Sequence, residues 1–143
     1  FGEIVAASLL DMAWHTLPPG AAPEDVMAFE AATLADLGLR TDLVPPRYRS
    51  PYFRHIFEHG YQSGYYAYTW TEMLAHDAYA FVEANGWMTR ENGERARQTF
   101  LSRGQSQDYA EMYRAFTGRD PQVEPLLRAR GLLADDQPAR AGG

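Results

Sequence analysis

The 143-residue sequence contains no cysteine, so disulfides and thiolate metal sites are excluded outright. No apolar run approaches the ~20 residues that a membrane span needs, and no signal-peptide pattern opens the chain. Long basic runs are missing and the formal net charge is −6, which argues against nucleic acid as a partner. No alternating run of β-branched residues occurs. Asn85-Gly86 and Asn92-Gly93 both sit in helical surroundings, so no hairpin is expected. There is no G-x-S-x-G and no strand to place one on, and Gly60-x-x-x-Gly64 lacks the lysine of a phosphate loop. No internal repeat is present.

What remains is a helical protein with enough apolar residues, 45%, to build a core. The fold class expected is all-α. A first helix spans about residues 3–16 and is stopped by Pro18-Pro19-Gly20. A second starts near Pro23, with Glu24 and Asp25 at its positive dipole end, and stops at Gly38. The connection from Leu39 to Pro51 carries Pro45-Pro46 and Arg40, Arg47 and Arg49, too rich in proline for regular structure. A long helix is expected from about Gly60 to Ala84, ended by Asn85-Gly86. Thr89 caps a helix over about 90–102, closed by Ser102-Arg103-Gly104, and Ser106 caps another over about 107–117, closed by Gly118. Asp120-Pro121 starts the last, to about Arg130. The expected division is a helical part, 1–133, and a flexible tail, 134–143.

The chain is organised around Phe53 to Trp70, where Tyr61, Tyr65, Tyr66 and Tyr68 follow His55 and His59. On a helix starting at Gly60, Tyr61, Tyr65 and Tyr68 recur at i, i+4 and i+7 and stack on one face. Tyr66, Trp70, Met73, Asp77 and Phe81 fall on another. Core packing is the plainer reading of such spacing. The hydroxyls speak against it, since every buried phenol needs a partner. A row of neutral phenols facing a cleft can instead hold peptide carbonyls or a developing oxyanion.

His55-Ile56-Phe57-Glu58-His59 also matches H-x-x-E-H, an inverted zinc-peptidase signature. It lacks a third ligand that the sequence singles out, and it lies where a helix is only starting. His15, on an apolar helix, is a packing or capping residue. His76 is given no role. Arg95, Arg97, Arg103, Arg114, Arg128 and Arg130 are spread along helices as a solvated face.

The stretch His55, then Gly60-Tyr61-Gln62-Ser63-Gly64-Tyr65-Tyr66-Ala67-Tyr68-Thr69-Trp70, resembles the thimet-oligopeptidase-type zinc metallopeptidases. It is most similar to the bacterial peptidyl-dipeptidases, or dipeptidyl carboxypeptidases. Leu9-Leu10-Asp11-Met12-Ala13-Trp14-His15 and Val44-Pro45-Pro46-Arg47-Tyr48-Arg49-Ser50 look like the same subfamily. So do Thr89-Arg90-Glu91-Asn92-Gly93, Leu101-Ser102-Arg103-Gly104 and Pro125 to Leu132. The likeness covers nearly the whole chain and places it at the C-terminal end of such an enzyme.

The resemblance implies a two-lobed helical enzyme whose zinc is bound by H-E-x-x-H and a downstream glutamate. None of those ligands is in this chain, which opens Phe1-Gly2-Glu3 and is expected to be a piece of a longer protein. The implied cofactor is therefore zinc in the full-length enzyme, with no metal ligand here. The implied partner is an oligopeptide substrate losing C-terminal dipeptides, with no nucleic acid and no membrane. By likeness, His55 hydrogen-bonds the substrate near the scissile bond, Tyr68 donates to the oxyanion, and Tyr61 and Tyr65 contact the substrate backbone. Where the family has a glycine-rich turn, Glu58 and His59 precede Gly60, which is expected to stiffen the turn or alter specificity. Alone, the piece is expected to be inactive and to self-associate through faces that truncation exposes. The expected location is cytoplasmic, with a periplasmic one left open. Two other readings stay open: a stand-alone helical module that binds a peptide or protein through rigid tyrosines, and a zinc hydrolase using His55, Glu58 and His59.

Overall fold

The computed structural model describes residues 1–39, 42–86 and 89–134. Arg40 and the tail after Ala134 lie outside them. Among the described residues there is no strand, and the fold is all-α. No helix among them is long and apolar enough to cross a membrane. The chain divides into two compact units, Phe1–Trp70 and Thr71 onward.

In the first unit, α1 (Gly2–His15) buries Ala6, Ala7 and Leu10 along one stripe, as their 3–4 spacing dictates. Helix α2 (Val26–Asp36) begins later than the proline at 23 implies. Asp25 is its N-cap and not part of its first turn, accepting hydrogen bonds from the N–H groups of Met27 and Ala28 at 2.9 Å each. That carboxylate satisfies donors the helix leaves open, and so fixes the start. Gly38, at φ 71°, ends the helix in the left-handed region. Trp14 of α1 packs on Phe29 of α2 with ring centroids 4.4 Å apart.

The proline-bearing connection is pinned at several points. Glu30, 1% exposed, accepts the Ser50 N–H at 2.7 Å and pairs with Arg49. Trp14 Nε1 donates to Ser50 Oγ at 2.9 Å, and the Arg47 N–H donates to the Glu3 carbonyl at 2.9 Å. A 3-10 turn, Ser50–Tyr52, then leads into the short helix α3, Arg54–Glu58. Phe53 and Ile56 join Ala7 and Tyr65 in the core, each almost fully buried. Burying a side chain such as Leu10 or Ile56 contributes about 1.5–3 kcal/mol.

The long helix does not start at Gly60. Helix α4 spans Ala67–Ala84, and residues 61–66 form successive tight turns, with Gly64 N–H to the Tyr61 carbonyl and Ala67 N–H to the Gly64 carbonyl. The cause is backbone conformation. Gly60 has φ 79° and Ser63 φ 56°, and neither value belongs to a right-handed helix.

In the second unit, the later part of α4 ends at Asn85-Gly86, with Gly86 at φ 93°. Thr89 caps α5 (Arg90–Ala96), accepting the Asn92 N–H at 3.2 Å. The chain continues as a π-helical turn, Arg97–Leu101. Helix α6 (Tyr109–Thr117) is capped by Asp108 and not by Ser106. Its close at Gly118, φ 79°, is as the sequence reading has it. Helix α7 is Glu124–Ala129. It does not begin at Asp120-Pro121; the Asp120 carboxylate instead pairs with Arg114 Nε at 2.6 Å. Met112, Tyr113, Phe116 and Leu126 are buried here.

Candidate functional site

The aromatic residues of the first unit converge although no continuous helix carries them. Tyr61 and Tyr68 stack, with centroids 5.3 Å apart and planes 16° from parallel. Tyr65 lies 5.0 Å from Tyr68 and 5.8 Å from the His55 ring. His55, on α3, is 6.0 Å from Tyr61 and 4.7 Å from Tyr48. The turns at 61–66 therefore bring together all four residues singled out from the sequence, by a route the sequence reading did not foresee.

Their exposure differs. Tyr65 is buried at 2%, packed edge-on against Phe53 at 4.8 Å, while Tyr68 is 39% exposed. Tyr61 and His55 are half-buried. The row is thus a graded wall, rooted in the core at Tyr65 and open at Tyr68.

Both Tyr65 and Tyr68 are held in the neutral, proton-donating form. For Tyr68 the largest cause is its hydrogen bond with the Tyr61 phenol, followed by partial burial and the neighbouring phenols, and together they push it up to about 12. Burial raises Tyr65, the Tyr48 phenol adds to this, and the Arg47 guanidinium, hydrogen-bonded to Tyr65, works against both. Arg47 Nη1 also meets Glu3 Oε1 at 3.1 Å. No hydrogen bond among the described residues holds the His55 ring, and its Nδ1 is buried without a partner. Packing alone positions it.

The turn beneath the wall is organised by a residue whose role the sequence reading missed. Asp11 of α1 is 0% exposed. Its Oδ1 accepts the Ser63 N–H at 3.0 Å and its Oδ2 the Tyr65 N–H at 2.9 Å. His15 Nδ1 lies 2.8 Å from Oδ1, so His15 serves this carboxylate in addition to packing. The signal was available: Asp11 follows Leu10 on the buried stripe of α1, where a lone acid needs a partner.

The H-x-x-E-H match does not form a centre. Helix α3 ends at Glu58, whose carboxylate takes Arg54 Nε at 2.8 Å, while the His55 ring packs among tyrosines. No group of three His, Asp or Glu residues that could hold a metal occurs among the described residues. The described residues thus do not by themselves make up a donor set for the zinc that the resemblance implies, which it assigns to ligands outside this chain. Glu58 and His59 do fit the turn, because only Gly60 occupies the left-handed region there. The other histidine, His76, lies 3.7 Å from Glu72 in the second unit.

Comparison with known proteins adds a family to this geometry. The model described as Peptidase family M3 matches residues 3–132. The dipeptidyl carboxypeptidase of Salmonella typhimurium is 49% identical over 130 residues, covering 91% of this chain and 19% of that protein. The Escherichia coli dipeptidyl carboxypeptidase is 48% identical with the same coverage. Oligopeptidase A of E. coli is 39% identical over 103 residues, 70% of this chain and 15% of that protein. The chain spans about a fifth of the length of the dipeptidyl carboxypeptidases it matches.

Proposed function

The chain belongs to peptidase family M3, and from that premise we propose that it forms the substrate-side wall of a zinc peptidase that releases C-terminal dipeptides from oligopeptides. In this reading a longer polypeptide supplies the zinc ligands and the activated water, and this chain supplies hydrogen-bond donors. The observation that carries the reading is the Tyr61–Tyr68 stack beside His55, inside the segment the family model matches. The higher identity to proteins named dipeptidyl carboxypeptidase than to oligopeptidase A favours dipeptide release.

The chemistry assigned to these residues follows from their state. Tyr68 is exposed and neutral at pH 7, and stacking on Tyr61 holds its ring in place while its single O–H turns from the Tyr61 phenol to the substrate. Such a donor strengthens its hydrogen bond as a peptide carbonyl oxygen gains negative charge, and losing one costs on the order of 3 kcal/mol of barrier. His55 hydrogen-bonds the substrate beside the scissile bond. Tyr61 contacts the substrate backbone. Tyr65, with its ring buried, takes the smaller share of that contact and props up the other two. The whole protein works in the cytoplasm on short peptides, and this chain alone is inactive.

Mass spectrometry of a digested oligopeptide tests this reading. The isolated chain with added zinc should leave the peptide intact, and the longer metal-bearing polypeptide should release dipeptides from the C-terminus. Hydrolysis by the chain alone, or release of single residues by the longer form, would contradict it.

A further inference from the structure

We propose that Asp11 is the positioning residue of the tyrosine wall: its buried carboxylate grips the N–H groups of Ser63 and Tyr65 and thereby sets the turn that stacks Tyr68 on Tyr61. Three features carry this. Both oxygens of a fully buried carboxylate are directed at one turn, 52 and 54 residues away in sequence. Ser63, the non-glycine residue with positive φ among those described, is one of the two gripped. Between the gripped N–H of Tyr65 and the ring of Tyr68 runs a single turn of backbone, closed by the Tyr68 N–H to the Tyr65 carbonyl at 3.3 Å. A side chain at Ser63 resists this conformation, so the turn needs an external hold, and a carboxylate accepting two N–H bonds supplies a charge-assisted one. His15 closes the remaining side of Oδ1.

The link from this turn to catalysis rests on the function proposed above, so the test has two arms. The first needs no catalysis. Asp11→Asn in this chain presents an amide N–H₂ to one of the two N–H groups. Exchange of the Ser63 and Tyr65 amides should then quicken about tenfold or more, as for loss of a bond to a charged acceptor. The Tyr68 phenol, followed by NMR of ring-labelled tyrosine and assigned with Tyr68→Phe, should titrate below its value of about 12 and toward 10.0. Asp11→Glu keeps the charge and both acceptors on a longer stem, and gives the same shift if the asparagine variant fails to fold. An unmoved Tyr68 titration with unchanged amide exchange in a folded variant would overturn the proposal.

The second arm measures turnover in the metal-bearing polypeptide. A residue acting through Tyr68 lowers kcat with metal content unchanged, and Asp11→Asn adds nothing to Tyr68→Phe. Fully additive losses would overturn action through Tyr68. A shifted titration with full turnover would leave Asp11 as the holder of the turn and count against the catalytic reading instead.

Discussion

Among the described residues each unit buries one aspartate completely, and the two are satisfied in different ways. Asp11 meets backbone N–H groups of a turn. Asp77 meets mainly side chains: the Tyr113 hydroxyl donates at 2.5 Å, Arg119 donates through both terminal nitrogens at 2.7 and 2.8 Å, and the Gln122 backbone adds one further bond. Burial works to raise the Asp77 carboxyl, but the hydrogen bonds from Arg119 and Tyr113 and the Arg119 charge outweigh it and hold the group below its ordinary value. The same network pushes Tyr113 and Arg119 up. A carboxylate bound chiefly to the N–H groups of one turn specifies a backbone conformation, whereas one bound chiefly to Arg and Tyr ties α4 to α6 and the segment after it. The first arrangement suits a site, the second a scaffold.

Breaking the second carboxylate should therefore cost stability more than local geometry. Asp77→Ala leaves Arg119 and Tyr113 without their common partner. The expected loss is about 2–3 kcal/mol, below the usual range for a broken buried pair because Arg119 keeps 35% exposure. Denaturant unfolding measures it. The pH dependence has a definite sign. The folded group lies below its ordinary value of 3.8, so its contribution is fully present above that pH and is lost as pH falls through the lower folded value. Asp77→Asn should flatten that acid limb of the stability curve.

Smaller effects sharpen the same contrast. Ser63 and Gly118 both occupy the left-handed region, at φ 56° and 79°. Gly118→Ala should destabilise the end of α6 by about 1 kcal/mol, read as a lower melting temperature. Ser63→Gly removes the same kind of strain from the turn above Asp11. It should leave stability within about 1 kcal/mol of the parent while making the Tyr68 titration less dependent on Asp11.

The helix pattern was legible because caps and stops are local: Thr89, Gly38 and Gly118 act where their sequence puts them. The turn at 61–66 was not. Tyr61, Tyr65 and Tyr68 have helical spacing, but their convergence depends on a positive φ at Ser63 and on a carboxylate 52 residues upstream of it, and periodicity encodes neither. Asp108 and Asp120 show the same limit on a smaller scale. Each acid could cap or pair, and the choice depends on which partner the fold delivers. His55, Tyr61, Tyr65 and Tyr68 were singled out through a resemblance to a family, and that they lie together is seen in the geometry alone.

Turnover of Tyr68→Phe in the metal-bearing polypeptide tests the role of the exposed phenol most directly. The substitution deletes one hydroxyl and keeps the ring that stacks on Tyr61. The predicted result is a kcat lower by about 10²–10³-fold, with metal content intact and KM little changed. Turnover close to the parent's would show that the exposed phenol does not serve the reaction.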